Sequence, residues 1–197
     1  MTIKSIFRDF SNKISDLKQK NLYRKPQTVS FISDNTIIVL QKKESLEEDF
    51  EFKATSFCSN DYLGLENNKK VKKAAIKAIK KYGTSSKSSR YIAGNNELYP
   101  KLEKKLAEEL KTEDAIVFSS GYQAATGGIP ALVQKGDLII ADKLIHSCLI
   151  DGSKLSEAKL LRYNHNDLAH LQKLLENNKG DYSKILVITE EIFSMNG

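Results

Sequence analysis

Four polar clusters in the second half of this 197-residue chain hold the side chains that can do chemistry. Ser119-Ser120-Gly121-Tyr122 closes a short apolar run and opens a helical pattern. At such a junction the first helical N–H groups lack partners within the helix, and the helix dipole adds positive charge there. A glycine at that point lets an anion reach the backbone. Gly121-Tyr122 is therefore a candidate seat for a phosphate group, with the tyrosine ring beside whatever that phosphate carries. His146 follows another strand end, four residues after Asp142. An imidazole there can act as acid or base, or offer its flat ring for stacking. Asn164-His165-Asn166 and Glu190…Ser194 complete the set. An ordinary strand–helix turn and a satisfied histidine at a helix start are the plainer readings of these residues, and spacing alone does not separate them.

The remaining candidates say less. The loop Ser85–Arg90 can bind an anion through its hydroxyls and Arg90, or serve only as a polar connection. Asp61 and Glu190 are separate carboxylates with no visible partner, so no acid–base pair is argued from them. His165 and His170 have no cysteine or carboxylate at ligand spacing, and no metal site is expected. Neither a Gly-x-Ser-x-Gly elbow, a Walker loop nor a Gly-x-Gly-x-x-Gly fingerprint occurs. On their own, these residues point to an α/β enzyme that binds a phosphorylated ligand, without naming it.

Alternating elements must place those clusters. Ile3, Ile6, Phe7, Phe10, Ile14 and Leu17 recur at helical spacing, which predicts an amphipathic helix ending near Asn21. Thr28–Ile32 and Thr36–Leu40 read as strands around a turn at Ser33-Asp34-Asn35, and Lys42–Asp49 as a charged connector. Ala54–Cys58 reads as a further strand. Helices are expected over Asn68–Tyr82 and along the leucines 98, 102, 106 and 110. Strand and helix then alternate: Ala115–Phe118 with Tyr122–Val133, Leu138–Ala141 with His146–Ser153, and Lys159–Tyr163 with Asp167–Leu175 capped by Asn166. Ile185–Thr189 is the last strand. Such repeats predict a mostly parallel sheet covered by helices on both faces. Ligands of such sheets sit beyond the carboxyl ends of the strands, where all four clusters fall.

Composition sets the class. Hydrophobic residues make up 40% and charged residues 28%, as in a globular protein. The formal charge of +6 rests on lysines scattered over helix faces, and no basic run is interleaved with aromatics, so nucleic acid is not an expected partner. Cys58 and Cys148 lie far apart and form no metal or disulfide pattern. No signal peptide or membrane-length apolar run is visible, and a reducing cytoplasm is the simplest location.

Taken together, several stretches resemble the α-oxoamine synthase family of pyridoxal-phosphate enzymes. They are Ser59-Asn60-Asp61-Tyr62-Leu63-Gly64-Leu65, Ser89-Arg90…Gly94 with Leu102-Glu103, and Phe118–Tyr122. Ala141–Ser147, Arg162–Asp167 and Thr189–Gly197 follow in the same order. The resemblance runs from about Leu22 to the end, and six motifs in register are far more specific than one. It implies a fold type I pyridoxal-phosphate transferase: an N-terminal segment over 1–53 and the front part of a large cofactor-binding domain over 54–197. It further implies a homodimer that condenses an amino acid with an acyl thioester, with loss of carbon dioxide, using pyridoxal 5'-phosphate. By resemblance, Gly121 and Tyr122 hold the cofactor phosphate and His146 stacks on its ring. Ser194 and Glu190 lie near the cofactor, while Asn60, Arg24 and Arg90 face the substrates.

The chain also departs from the family pattern. Ser85, Lys87 and Ser88 stand in a loop that is usually glycine-rich, Tyr99 replaces a common histidine, and Asn196 replaces an aspartate. The Schiff-base lysine is expected beyond Gly197, since no lysine present has the matching context. The chain is read as the front of a longer protein and expected to be inactive alone. A truncated remnant without catalysis is the competing reading, and a nucleotide-binding doubly wound module is disfavoured by the missing glycine fingerprint.

Overall fold

The computed structural model describes residues 3–33, 36–42 and 49–196. They fall into two compact units, Met1–Ser85 and Ser86–Gly197.

The first unit opens with α1 (Ile3–Gln19). Strands β1 (Thr28–Ser33), β2 (Thr36–Lys42) and β3 (Asp49–Thr55) follow as an antiparallel sheet in the order β1-β2-β3. Val29 lies opposite Val39, and Ile38 opposite Lys53. The third strand therefore begins at Asp49, inside the expected charged connector, and ends at Thr55 rather than Cys58. The alternation of Phe52 and Ala54 with charged neighbours suits a pleated ribbon. The expected turn at Asp34-Asn35 and connector residues 43–48 lie outside the described residues.

Two side chains fix the approach to α2 (Lys69–Tyr82). The Asp61 carboxylate accepts the amides of Leu65 at 2.8 Å and Glu66 at 3.1 Å, seating a short 3-10 turn over Leu65–Asn67. Asn68 then caps the helix by accepting the amides of Lys70 and Val71. Gly83 ends it with φ 81°, a backbone region open to glycine.

In the second unit α3 (Leu98–Leu110) precedes α4 (Gly121–Leu132). The parallel sheet comes from β4 (Leu138–Asp142), β5 (Lys159–Tyr163) and β6 (Ile185–Ile188), ordered β5-β4-β6. Helices α5 (Ser147–Leu155) and α6 (Leu168–Asn177) link them. Central β4 is buried throughout. Its side chains alternate: Ile139 and Ala141 join Ala125, Ile129 and Val133 of the α4 layer, while Leu138 and Ile140 join Leu171, Leu174 and Leu175 of α6. Period two along the strand thus feeds two cores, and the three carboxyl ends open on one edge. Helices α4 and α5 touch closely, because a Cβ added to Gly152 would sit 2.5 Å from the Ala125 carbonyl oxygen.

Two expectations fail here. Ala115–Phe118 is not a strand: no strand among the described residues pairs with it, and Ile116 is 71% exposed. A short apolar run signals extended backbone, but a strand also needs a neighbour to take its ladder bonds. Val117 instead gives its N–H to Glu103 at 2.8 Å and its carbonyl to Arg90 at 2.9 Å. The cap of α6 is Asp167, which accepts the His170 amide; Asn166 has φ 54° and belongs to the preceding turn.

Candidate functional site

The site is built from the ends of β4, β5 and β6 and the starts of α4 and α5. At α4, Ser120 takes the cap position and accepts the Gln123 amide through its hydroxyl. Ala124 donates to the Ser120 carbonyl, so two of the first four amides are satisfied. Those of Gly121 and Tyr122 donate to no group among the described residues. Both residues are exposed, and a Cβ at Gly121 would meet nothing within 4 Å. Two unpaired donors at an open, positive helix end suit a phosphate ester.

His146 caps α5. Its Nδ1 accepts the Cys148 amide at 3.2 Å and lies 3.0 Å from the Cys148 sulfur. An accepting Nδ1 leaves the proton of the neutral ring on Nε2. The backbone amide of His146 donates to Glu190 Oε2 at 2.6 Å, so the carboxylate that had no partner in the sequence holds this residue in place. His146 remains exposed, its ring anchored at one edge with the rest free. Tyr122 reaches across from α4, its hydroxyl 3.4 Å from Asp151 of α5. Gly121-Tyr122 and His146 therefore start two helices in direct contact.

Asp142 ends β4 with its side chain fully buried. Its carboxylate accepts the amides of Leu144 at 2.8 Å and Asn166 at 3.0 Å, and faces His165 Nδ1 at 3.1 Å. Burial pushes the acid up, but these three partners together outweigh it and hold Asp142 below the usual carboxylate range. His165 also meets Phe193 edge to face, with ring centroids 4.6 Å apart. Ser194 is exposed in the loop after β6.

Arg90 reaches this group from the segment before α3. Its guanidinium grips Glu103 with both terminal nitrogens, at 2.7 and 2.9 Å, and stacks over Tyr99 at 4.3 Å. The hydrogen bonds from Arg90, then the Val117 amide, hold the Glu103 carboxyl below its ordinary range. Arg90 lines an open cleft of about 310 Å³ with Ser88, Ser119 and Gln123. In the altered loop, Lys87 takes the left-handed conformation at φ 63° that glycine adopts without strain. Arg24 and Asn60 belong to the first unit, where both are exposed.

Sequence reasoning missed three pairings: Asp142 with His165, Glu190 with the His146 amide, and Arg90 with Glu103. None had a local signal in the sequence; the first follows only from β4 and β5 being neighbours in the sheet. No group of three or more metal-ligating side chains gathers among the described residues, and no helix among them is long and apolar enough to cross a membrane.

Comparison with known proteins adds to this geometry. Residues 53–197 match the family Aminotransferase class I and II. The 8-amino-7-oxononanoate synthase of Geobacter sulfurreducens is 39% identical over 190 residues, covering 96% of this chain and 46% of that protein. Among solved structures, Sphingomonas wittichii serine palmitoyltransferase superposes with a TM-score of 0.79 at 28% identity, over 99% of this chain and 47% of that one. The 8-amino-7-oxononanoate synthase of Francisella tularensis gives a TM-score of 0.52 at 38% identity, over 60% of this chain and 33% of that one. The chain thus spans less than half the length of these relatives.

Proposed function

This chain belongs to the aminotransferase class I and II family, and we propose that it is the cofactor-binding front part of a pyridoxal-phosphate-dependent 8-amino-7-oxononanoate synthase. In this reading the protein joins L-alanine to a pimeloyl thioester, releases carbon dioxide and the free thiol, and yields the α-amino ketone of biotin synthesis. It works as a cytoplasmic homodimer, with residues 54–197 as the front of its large domain. The two unpaired amides at Gly121 and Tyr122, on a helix packed against the one that His146 starts, carry the proposal. The Arg162–Asp167 and Leu22–Pro26 stretches favour this member of the family over its siblings.

The residues divide the work simply. Gly121 and Tyr122 bind the phosphate through backbone N–H groups, which needs no charged side chain. His146 supplies a flat face for the pyridine ring, and its capping bond and Glu190 fix where that face stands. Ser194 lies by the cofactor's phenolic oxygen, and Glu190 joins it on the same loop. Asn60 holds the amino-acid carboxylate, Arg24 faces the acyl donor, and Arg90 is a further substrate-binding residue. Pyridoxal phosphate, when bound, supplies an electron sink for the carbanion left by decarboxylation. No lysine of residues 1–197 is assigned to a covalent link with it.

Titrating the chain with pyridoxal phosphate and following cofactor absorbance tests this reading. Saturable binding is expected, with inorganic phosphate as competitor. His146→Ala should weaken it about threefold to tenfold through loss of ring stacking. Borohydride should fix no cofactor onto a lysine of this chain. Absence of saturable binding, or full affinity in His146→Ala, defeats the reading.

The serine palmitoyltransferase superposition over 99% of the chain supports a second member of the same family. 5-Aminolevulinate synthase and 2-amino-3-ketobutyrate CoA ligase share most of the same motifs. Offering the longer protein alanine, serine or glycine with pimeloyl, palmitoyl, succinyl or acetyl thioesters separates these from one another. Turnover with none of them favours a non-catalytic remnant.

A further inference from the structure

We propose that His165 is a positioning residue: together with Asp142 and Phe193 it closes a ring of ties among the loops after β4, β5 and β6, and so fixes where His146 stands. The proposal rests on the reading of His146 as the ring-stacking residue.

Each pair of loops has its own tie. The Asp142 carboxylate binds the β4 loop to the β5 loop, accepting from Leu144 on one side and from Asn166 and His165 on the other. The edge-to-face contact of His165 with Phe193 joins the β5 loop to the β6 loop. The His146 amide on Glu190 joins the β6 loop back to the β4 loop. The β4 and β5 loops share further bonds, from Lys143 Nζ to Asn164 Oδ1 at 2.8 Å and from the Lys143 amide to the Tyr163 carbonyl, so losing both ties of His165 loosens the circuit more than losing one. His165 belongs to two of the three ties. It can do so because an imidazole offers Nδ1–H to a carboxylate and a ring edge to an aromatic at once, while Nε2 faces the side-chain Nδ2 of Asn166 at 3.3 Å.

Energies rank the two contacts. A hydrogen bond to a buried charge outweighs an edge-to-face aromatic contact. An asparagine at 165 can still offer its side-chain N–H to Asp142, but it has no ring for Phe193. The ordering is therefore parent, His165→Asn, His165→Ala, from tightest to loosest.

Cys148 reports on this ordering, since its sulfur lies 3.0 Å from His146 Nδ1. With Cys58→Ser it is the chain's sole thiol. Its rate of reaction with a small uncharged alkylating reagent then tracks local opening at the start of α5. His165→Ala should speed labelling about tenfold and His165→Asn about threefold over the parent. Equal rates in His165→Ala and His165→Asn, or a parent-like rate in His165→Ala, overturn the proposal. A merely structural loss would not be rescued by asparagine. If His165→Ala fails to fold, Phe193→Leu decides instead: faster labelling than the parent supports the ring of ties, and an unchanged rate overturns it. Pyridoxal phosphate uptake by the parent is measured separately. Its failure would sink the functional reading, while the labelling order would still decide the tie.

Discussion

The two compact units use their helices in opposite ways. In Ser86–Gly197, α4 buries Ala125 and Ile129 and α6 packs half-buried leucines against a parallel sheet whose central strand is out of contact with water. In Met1–Ser85, α2 buries none of its residues, and α1 leaves Phe7, Phe10, Ile14 and Leu17 exposed. Val39 is the sole buried hydrophobic residue of that unit among the described residues. By sequence pattern α1 and α2 are more strongly amphipathic than α4 and α6. Periodicity shows that a helix has an apolar face and is silent on what covers it.

Core deletion is the sharpest way to break this comparison. Ile140→Ala removes a fully buried side chain from the β4–α6 layer and should cost about 2–5 kcal/mol in urea or thermal unfolding. Ile79→Ala, on the exposed face of α2, should change stability by no more than about 0.5 kcal/mol. Equal costs would show that the two helical faces are used alike after all.

Acid provides the next test, confined to the second unit. Asp142 is held below its ordinary range in the fold, so its ionised form stabilises the native state at pH values above the unfolded carboxylate range. That contribution disappears as pH falls through the depressed folded value. Asp142→Asn should therefore lie about 2 kcal/mol below the parent at pH 7. The gap should narrow as pH falls below about 4 and close only below the depressed folded value, where both chains carry a neutral group. A gap independent of pH between 7 and 3 would remove the charge from the explanation.

The smallest effect belongs to the first unit. Asn68→Ala strips the cap from α2 and should cost about 1 kcal/mol, read as a loss of helical circular dichroism or a lower Tm. A larger cost would mean that α2 is coupled to more than its own first turn.

Much of the architecture was legible before any coordinates. Helices ending at Tyr82 and Leu110, and β5 over Lys159–Tyr163, follow from periodicity and punctuation alone. Other features depend on neighbours distant in the chain. The run Ala115–Phe118 has strand-like composition, yet Glu103 and Arg90 take the Val117 peptide groups that a ladder would use. Asp167 and Asn166 are both good capping residues, and only the backbone turn at Asn166 decides between them. Asp142 and His165 are 23 positions apart, and their meeting follows from the adjacency of β4 and β5, which no local pattern states. The candidate phosphate seat was readable because helix ends follow general rules, whereas the bonds that orient His146 come from tertiary structure.

Gly152 sets the gauge between the helices that begin at Gly121 and Ser147. Its hydrogen lies where any larger group would collide with the Ala125 carbonyl at 2.5 Å and the Ile129 side chain at 3.0 Å. An added methyl would act as a wedge, prising the amides at one helix start away from the imidazole at the other. A residue with no side chain thereby sets the spacing between the two helix starts.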